Sequence, residues 1–146
     1  MNQEAYEFLN AIRKIDYEIQ CLNCKKSMLE SCLLPSGIRY DKDKVQGSYE
    51  NQLEKIMAQL DIVCKNIARL YSERYDKAIE IEDVISKVEQ MHLRTILYHR
   101  YVSPKGINKI AEIMNYSPDW VYKNHRKAVD EVGKILKARG INENNS

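Results

Sequence analysis

Turn-forming residues are scarce in this 146-residue chain, which carries 5 Gly and 3 Pro. An antiparallel sheet needs Gly, Asn or Pro at nearly every hairpin, so their shortage argues against an all-β fold and for helices. Long apolar runs are missing too, and nothing approaches the ~20 apolar residues that span a bilayer. No membrane partner is therefore expected. Residues 1–7 carry no basic patch followed by an apolar stretch, which predicts no secretory leader and a cytoplasmic location. Phosphate-cradling and nucleophile signatures are likewise absent: no G-x-x-x-x-G-K-[ST], no G-x-G-x-x-G and no G-x-S-x-G occurs. The acidic cluster Glu80, Glu82 and Asp83 has no nucleophile or basic partner set near it in sequence. It reads as a solvated face. No enzyme, and no catalytic or cofactor-binding residue, is expected.

Metal chemistry has little to stand on. Cys21 and Cys24 form a C-x-x-C, with Cys32 and Cys64 as singletons. Zinc ribbons place two such pairs on tight turns to complete four ligands, whereas this pair falls inside a helical pattern. Buried thiols are the expected role for some of the four. His92, His99 and His125 are dispersed, without an H-E-x-x-H. No cofactor or metal is expected.

What the chain does have is charge and helical periodicity. It holds 23 Lys+Arg against 21 Asp+Glu, for a net charge of +2. The distribution is uneven: residues 92–140 hold 10 basic and 4 acidic side chains, and residues 1–91 hold 13 and 16. A basic block at one end suggests a polyanionic partner.

From Ala5 the apolar positions run Phe8, Ile12, Ile15, Ile19, Leu22, then Lys26 as the misfit, then Leu29 and Leu33. Steps alternating three and four make an a/d heptad seam. Pro35, Ser36 and Gly37 are expected to end it. The seam resumes as Tyr49, Leu53, Ile56, Leu60, Val63, Ile67 and Leu70, with Ser48 as the expected N-cap. The spacing predicts helices over about 3–34 and 49–75, joined by a charged loop 35–48, folded back as a long antiparallel hairpin spanning residues 1–76. Met28, Leu34, Ile62, Tyr71 and Tyr75 fall outside the seam and suggest further packing, against the C-terminal half or in a homodimer.

Residues 77–139 read as a compact helical domain and 140–146 as a disordered tail. Ile81, Val84, Ile85 and Val88 give one short stripe; Leu93, Ile96, Leu97 and Tyr101 give another. After the Ser103-Pro104-Lys105-Gly106 turn comes a helix from Ile107 to Met114, then Asn115-Tyr116-Ser117, then a long helix from Pro118 to about Ala138. Asn115 tolerates the left-handed conformation, Ser117 caps well, and Pro118 falls at the first helical position. Ile110, Met114, Tyr116 and Val121 are spaced to form a small core, with Ala111 letting two helices cross closely. This is the packing of a helix-turn-helix. Val121, His125, Ala128 and Val132 share the inner face, which leaves Asp119, Trp120, Lys123, Asn124, Arg126 and Lys127 to project outward beside Ser117. In such motifs the start of the second helix enters the major groove, where Asn and Lys or Arg read base edges and cations hold phosphates. These seven residues are the expected DNA-binding set, and double-stranded promoter or operator DNA is the expected partner.

The stretch Arg94-Thr95-Ile96-Leu97-Tyr98-His99-Arg100-Tyr101, with Ile110 to Ser117 and Val121 to Ala128, resembles the fourth region of bacterial sigma factors. The whole chain, including Asp43-Lys44-Val45-Gln46-Gly47-Ser48, is similar to small phage and prophage proteins of Gram-positive bacteria with sigma-like C-terminal domains, some of them activators of late phage genes. The resemblance implies a sequence-specific transcription regulator with Trp120, Lys123, Asn124 and Lys127 facing DNA. No segment resembles the sigma regions that bind the polymerase clamp or melt promoters, so a complete initiation factor is not implied. His125 stands where the sigma pattern usually has an aliphatic residue. Two other readings share these features: a helical interaction protein docking on RNA polymerase without DNA, and a DNA-packaging subunit of the small-terminase type.

Overall fold

Helix α1 (Gln3–Leu9) starts where Asn2, in extended conformation, turns its side chain onto the new helix: Oδ1 accepts the Ala5 N–H at 3.1 Å. The computed structural model describes residues 2–33 and 46–144. Among these residues there are helices and no strands, in the order α1, α2 (Ala11–Ser31), α3 (Gln46–Ser86), α4 (Met91–Leu97), a π-helical turn (Tyr98–Val102), α5 (Ile107–Met114) and α6 (Pro118–Asn144). No described helix is long and apolar enough to cross a membrane.

Several boundaries differ from the sequence expectation. The single helix expected over 3–34 is divided at Asn10, whose short amide competes with the backbone and disfavours a helix interior. The hydrogen-bond ladder still passes over it, with Asn10 N–H bonding Tyr6 O and Lys14 N–H bonding Asn10 O. The second half ends at Ser31, whose hydroxyl donates to the Met28 carbonyl at 2.6 Å. The expected stop at Pro35-Ser36-Gly37, Leu34 and most of loop 35–48 lie outside the described residues. α3 begins at Gln46, so Ser48 lies within it rather than capping it. It also runs through the break expected after residue 75, since Asp76-Lys77-Ala78-Ile79-Glu80 holds no Gly or Pro to stop a helix. α6 likewise continues past Gly140, which keeps a negative φ, so the expected tail from residue 140 is helical as far as Asn144.

The chain divides into two compact units, Met1–Lys14 with Arg74–Ser146 and Ile15–Glu73. In the second, the heptad positions Ile15, Ile19, Leu22, Leu29, Leu53, Ile56, Leu60, Val63, Ile67 and Leu70 are all buried or half-buried. Lys26, the misfit, is also half-covered, its ammonium reaching Glu30 at 3.8 Å. Met28, Ile62 and Tyr71 remain exposed.

In the first unit, one core gathers Leu9 and Ile12, Ile81, Val84 and Val88 of the α3 end, Leu93 and Leu97 of α4, Tyr101, and Ala128, Val129 and Val132 of α6. Each fully buried Leu or Ile side chain contributes ~1.5–3 kcal/mol. The first fourteen residues thus belong with the C-terminal helices, whereas a boundary at residue 76 assigns them to the hairpin. Asn2 explains part of the fit. Its backbone N–H donates to Asp130 at 3.2 Å, and its side chain occupies the space where a Cβ on Gly133 would stand.

Candidate nucleic-acid interface

Three residues separate α5 from α6, and each has a structural task. Asn115 sits at φ 60° and ψ 40°, the left-handed region that ends a helix. The Tyr116 N–H then bonds the Ala111 carbonyl at 3.1 Å and the Asn115 N–H reaches Glu112 O, the paired bonds of a Schellman exit. Ser117 opens α6 by accepting the Trp120 N–H on Oγ at 3.2 Å, while its carbonyl receives the Val121 N–H. Pro118 takes the first helical position, where its missing N–H costs nothing. Behind the turn, Ile96, Ile110, Ala111 and Val121 form a second core, flanked by Ile107, Met114 and Trp120.

The outer face of α6 is narrower than the sequence suggests. Asp119, Lys123, Arg126 and Lys127 are exposed, as expected. Ser117 is exposed but its hydroxyl is committed to the cap. Asn124 is only 8% exposed, and its Nδ2 donates to the Trp120 carbonyl one turn back at 2.9 Å, so it packs inward instead of facing solvent. Trp120 is half-buried, stacked on Tyr116 with ring centroids 3.7 Å apart and 11° between planes, and near His92 at 5.7 Å. It braces the turn. Tyr116 itself, expected in the core, is exposed. The reason lies in the Schellman exit: Tyr116 follows the left-handed residue, and that placement carries its ring over Trp120 and away from Ile110. Tyr122, 56% exposed between Asp119 and Arg126, joins the outer face; it lies outside the expected set, because an aromatic on an amphipathic helix ordinarily packs inward.

Electrostatics favour an anionic partner on this face. Among the described residues Lys123, Arg126 and Lys127 form no ion pair, whereas Lys109 and Lys134 are matched by Glu112 at 3.6 Å and Glu131 at 3.2 Å. Lys123 and Lys127 are one turn apart and share a stripe. All four cysteines are free and exposed, which replaces the expectation of buried thiols; the heptad seam leaves Cys21, Cys24, Cys32 and Cys64 off its apolar stripe.

The family model described as "Protein of unknown function (DUF1492)" matches residues 33–133. The chain belongs to the DUF1492 family. The matched DUF1492 region contains the whole turn and every exposed cation at the start of α6. No curated protein and no solved structure matches the chain.

Among the described residues, the inner face of α6 holds one buried titratable group. His125 is buried, stacked on Tyr101 at 5.6 Å, and hydrogen-bonded through Nε2 to the Tyr101 hydroxyl. Burial, then the nearby Arg100, Arg126 and Arg13 guanidinium groups, pushes its pKa down to about 4. Burial pushes the Tyr101 phenol up, so the O–H remains a donor. A neutral imidazole accepting at Nε2 carries its proton on Nδ1. His125 therefore sits in the core as an uncharged ring with Nε2 satisfied by the Tyr101 hydroxyl. His99, half-buried with the Lys105 ammonium 3.3 Å from Nδ1, is also held below its ordinary value by burial and by that charge.

Proposed function

We propose that this DUF1492 protein is a sequence-specific DNA-binding transcriptional regulator, of the phage or prophage activator type, whose α5–turn–α6 segment is a sigma-like helix-turn-helix. On this reading the first turns of α6 enter the major groove, with Lys123, Arg126 and Lys127 on phosphates or guanine edges and Asp119 and Tyr122 beside them. The observation that carries it is the unpaired cationic stripe on the opening turns of a helix whose start is fixed by a left-handed residue and a serine cap. Asn124 and Trp120 act here as supports of the reading helix and not as readers. Residues 15–73 are read as an antiparallel hairpin of heptad helices. The exposed Met28, Ile62 and Tyr71 support a homodimer through it, which would set the spacing of two half-sites; sedimentation of a monomer at micromolar concentration overturns that part.

The test is duplex binding by wild type and by Lys123→Ala/Lys127→Ala, followed by fluorescence anisotropy with far-UV circular dichroism as the fold control. Exposed ion pairs are worth up to about 1 kcal/mol each, so the double variant loses roughly tenfold in affinity with an unchanged spectrum. Equal affinity of the two proteins rejects the reading. It would turn the basic face into a protein-docking surface, with RNA polymerase as the next partner to try.

A further inference from the structure

A second feature of the first unit has a different chemistry. A cavity of about 230 Å³ opens beside the end of α1, the π-helical turn and α6, lined among others by Tyr6, Asn10, Arg100, Tyr122, His125 and Arg126. Asn10 is 8% exposed, and among the described residues its Oδ1 has no hydrogen-bond donor. An amide oxygen buried without a partner is costly, and a ligand that brings a donor to it relieves that cost. The cation count points the same way. Arg100 and Arg126 make no ion pair among the described residues, and no carboxylate lines the cavity. Arg100 is steadied at one edge by donating to the Lys105 carbonyl at 3.0 Å, which leaves the rest of its fork available. The backbone is unusual at the same place: Tyr98–Val102 is π-helical, with the Ser103 N–H bonding Tyr98 O at 3.0 Å, and π-turns concentrate at functional sites.

We propose that this cavity binds a small aromatic carboxylate bearing a hydroxyl or amine, with the carboxylate on Arg100 and Arg126, the ring against the tyrosines and the donor on Asn10 Oδ1. Guanidinium forks match carboxylates in a planar, two-bond geometry. The volume lies below the ~300 Å³ at which drug-sized sites begin, which limits the ligand to about one ring. The site shares Arg126 and Tyr122 with the DNA-reading face proposed above, but its test needs no DNA.

The probes are para-hydroxybenzoate, benzoate and phenol, titrated calorimetrically into the full chain. Para-hydroxybenzoate, with ring, charge and donor, binds with a Kd of about 1 mM or tighter, as ordinary ligand efficiency gives for so small a ligand. Benzoate lacks the donor and phenol the charge, so each binds at least about tenfold more weakly. Arg126→Gln, at an exposed position that the fold tolerates, weakens para-hydroxybenzoate to the level of phenol. Asn10→Leu keeps benzoate binding and abolishes the preference for the hydroxylated ring. No heat with para-hydroxybenzoate at about ten millimolar, or equal affinity for all three probes, overturns the proposal.

Discussion

Lowering the pH from 7 to 5 should weaken this fold through one side chain. His125 is neutral in the folded protein with a pKa of about 4, and in the unfolded chain it titrates near its ordinary value of 6.5. A depressed histidine pKa means that the unfolded state takes up the proton first. Stability from this group is therefore intact above about pH 6.5, falls as the pH drops, and levels off below about pH 4. The linkage relation gives a loss of about 2 kcal/mol between pH 7 and pH 5, before most carboxylates protonate. Urea unfolding followed by circular dichroism at several pH values measures it, with His125→Gln as the reference: glutamine can still accept from the Tyr101 hydroxyl but does not titrate. Wild type minus variant isolates His125 from His92 and His99. Parallel stability curves for the two proteins between pH 7 and 5 would refute the reasoning, since they would mean that the imidazole is solvated or protonated in the native state.

Other expectations follow from the same packing. Ser117→Ala removes the hydroxyl that accepts the Trp120 N–H and costs about 1 kcal/mol, measured as a shift of the urea midpoint. Leu9→Ala destabilises by ~2–5 kcal/mol, although position 9 lies over a hundred residues from the α6 side chains it shares a core with; an effect below 1 kcal/mol would show that α1 is not part of that core. Gly140→Ala, where a methyl meets nothing, gains up to about 1 kcal/mol from helix propensity. Gly133→Ala forfeits that gain, because its Cβ would overlap Asn2 Nδ2 and stand 3.1 Å from Asn2 Cβ and so displaces the α1 cap; an equal gain at both glycines contradicts the docking of Asn2 on α6.

Periodicity and turn chemistry were legible in the sequence wherever one local rule decided the outcome. The heptad positions of residues 15–70 are the covered ones, Asn115 is left-handed, Ser117 caps, and Val121, His125, Ala128 and Val132 share the inner face of α6. Long-range choices were not legible. Ala5, Leu9 and Ile12 carry the same 3-4 spacing as Ile15 and Ile19, so nothing local says that the first set joins the α6 core. Asn124 reads as a base-edge donor by type, yet its position between Val121 and Ala128 places it on the buried side, where it turns back to its own helix. The cavity was not legible in the sequence because its residues come from four separate segments: α1 with Asn10, the π-helical turn, α5 and α6.

The salt dependence of binding to random-sequence duplex DNA is the most direct test of the DNA-binding reading. For wild type the account predicts that log K falls linearly with log salt, with a slope of about −0.9 per phosphate contacted, and that Lys123→Ala/Lys127→Ala reduces the slope magnitude by about one to two. A wild-type protein that fails to bind at low salt, or a double variant with an unchanged slope, would contradict it.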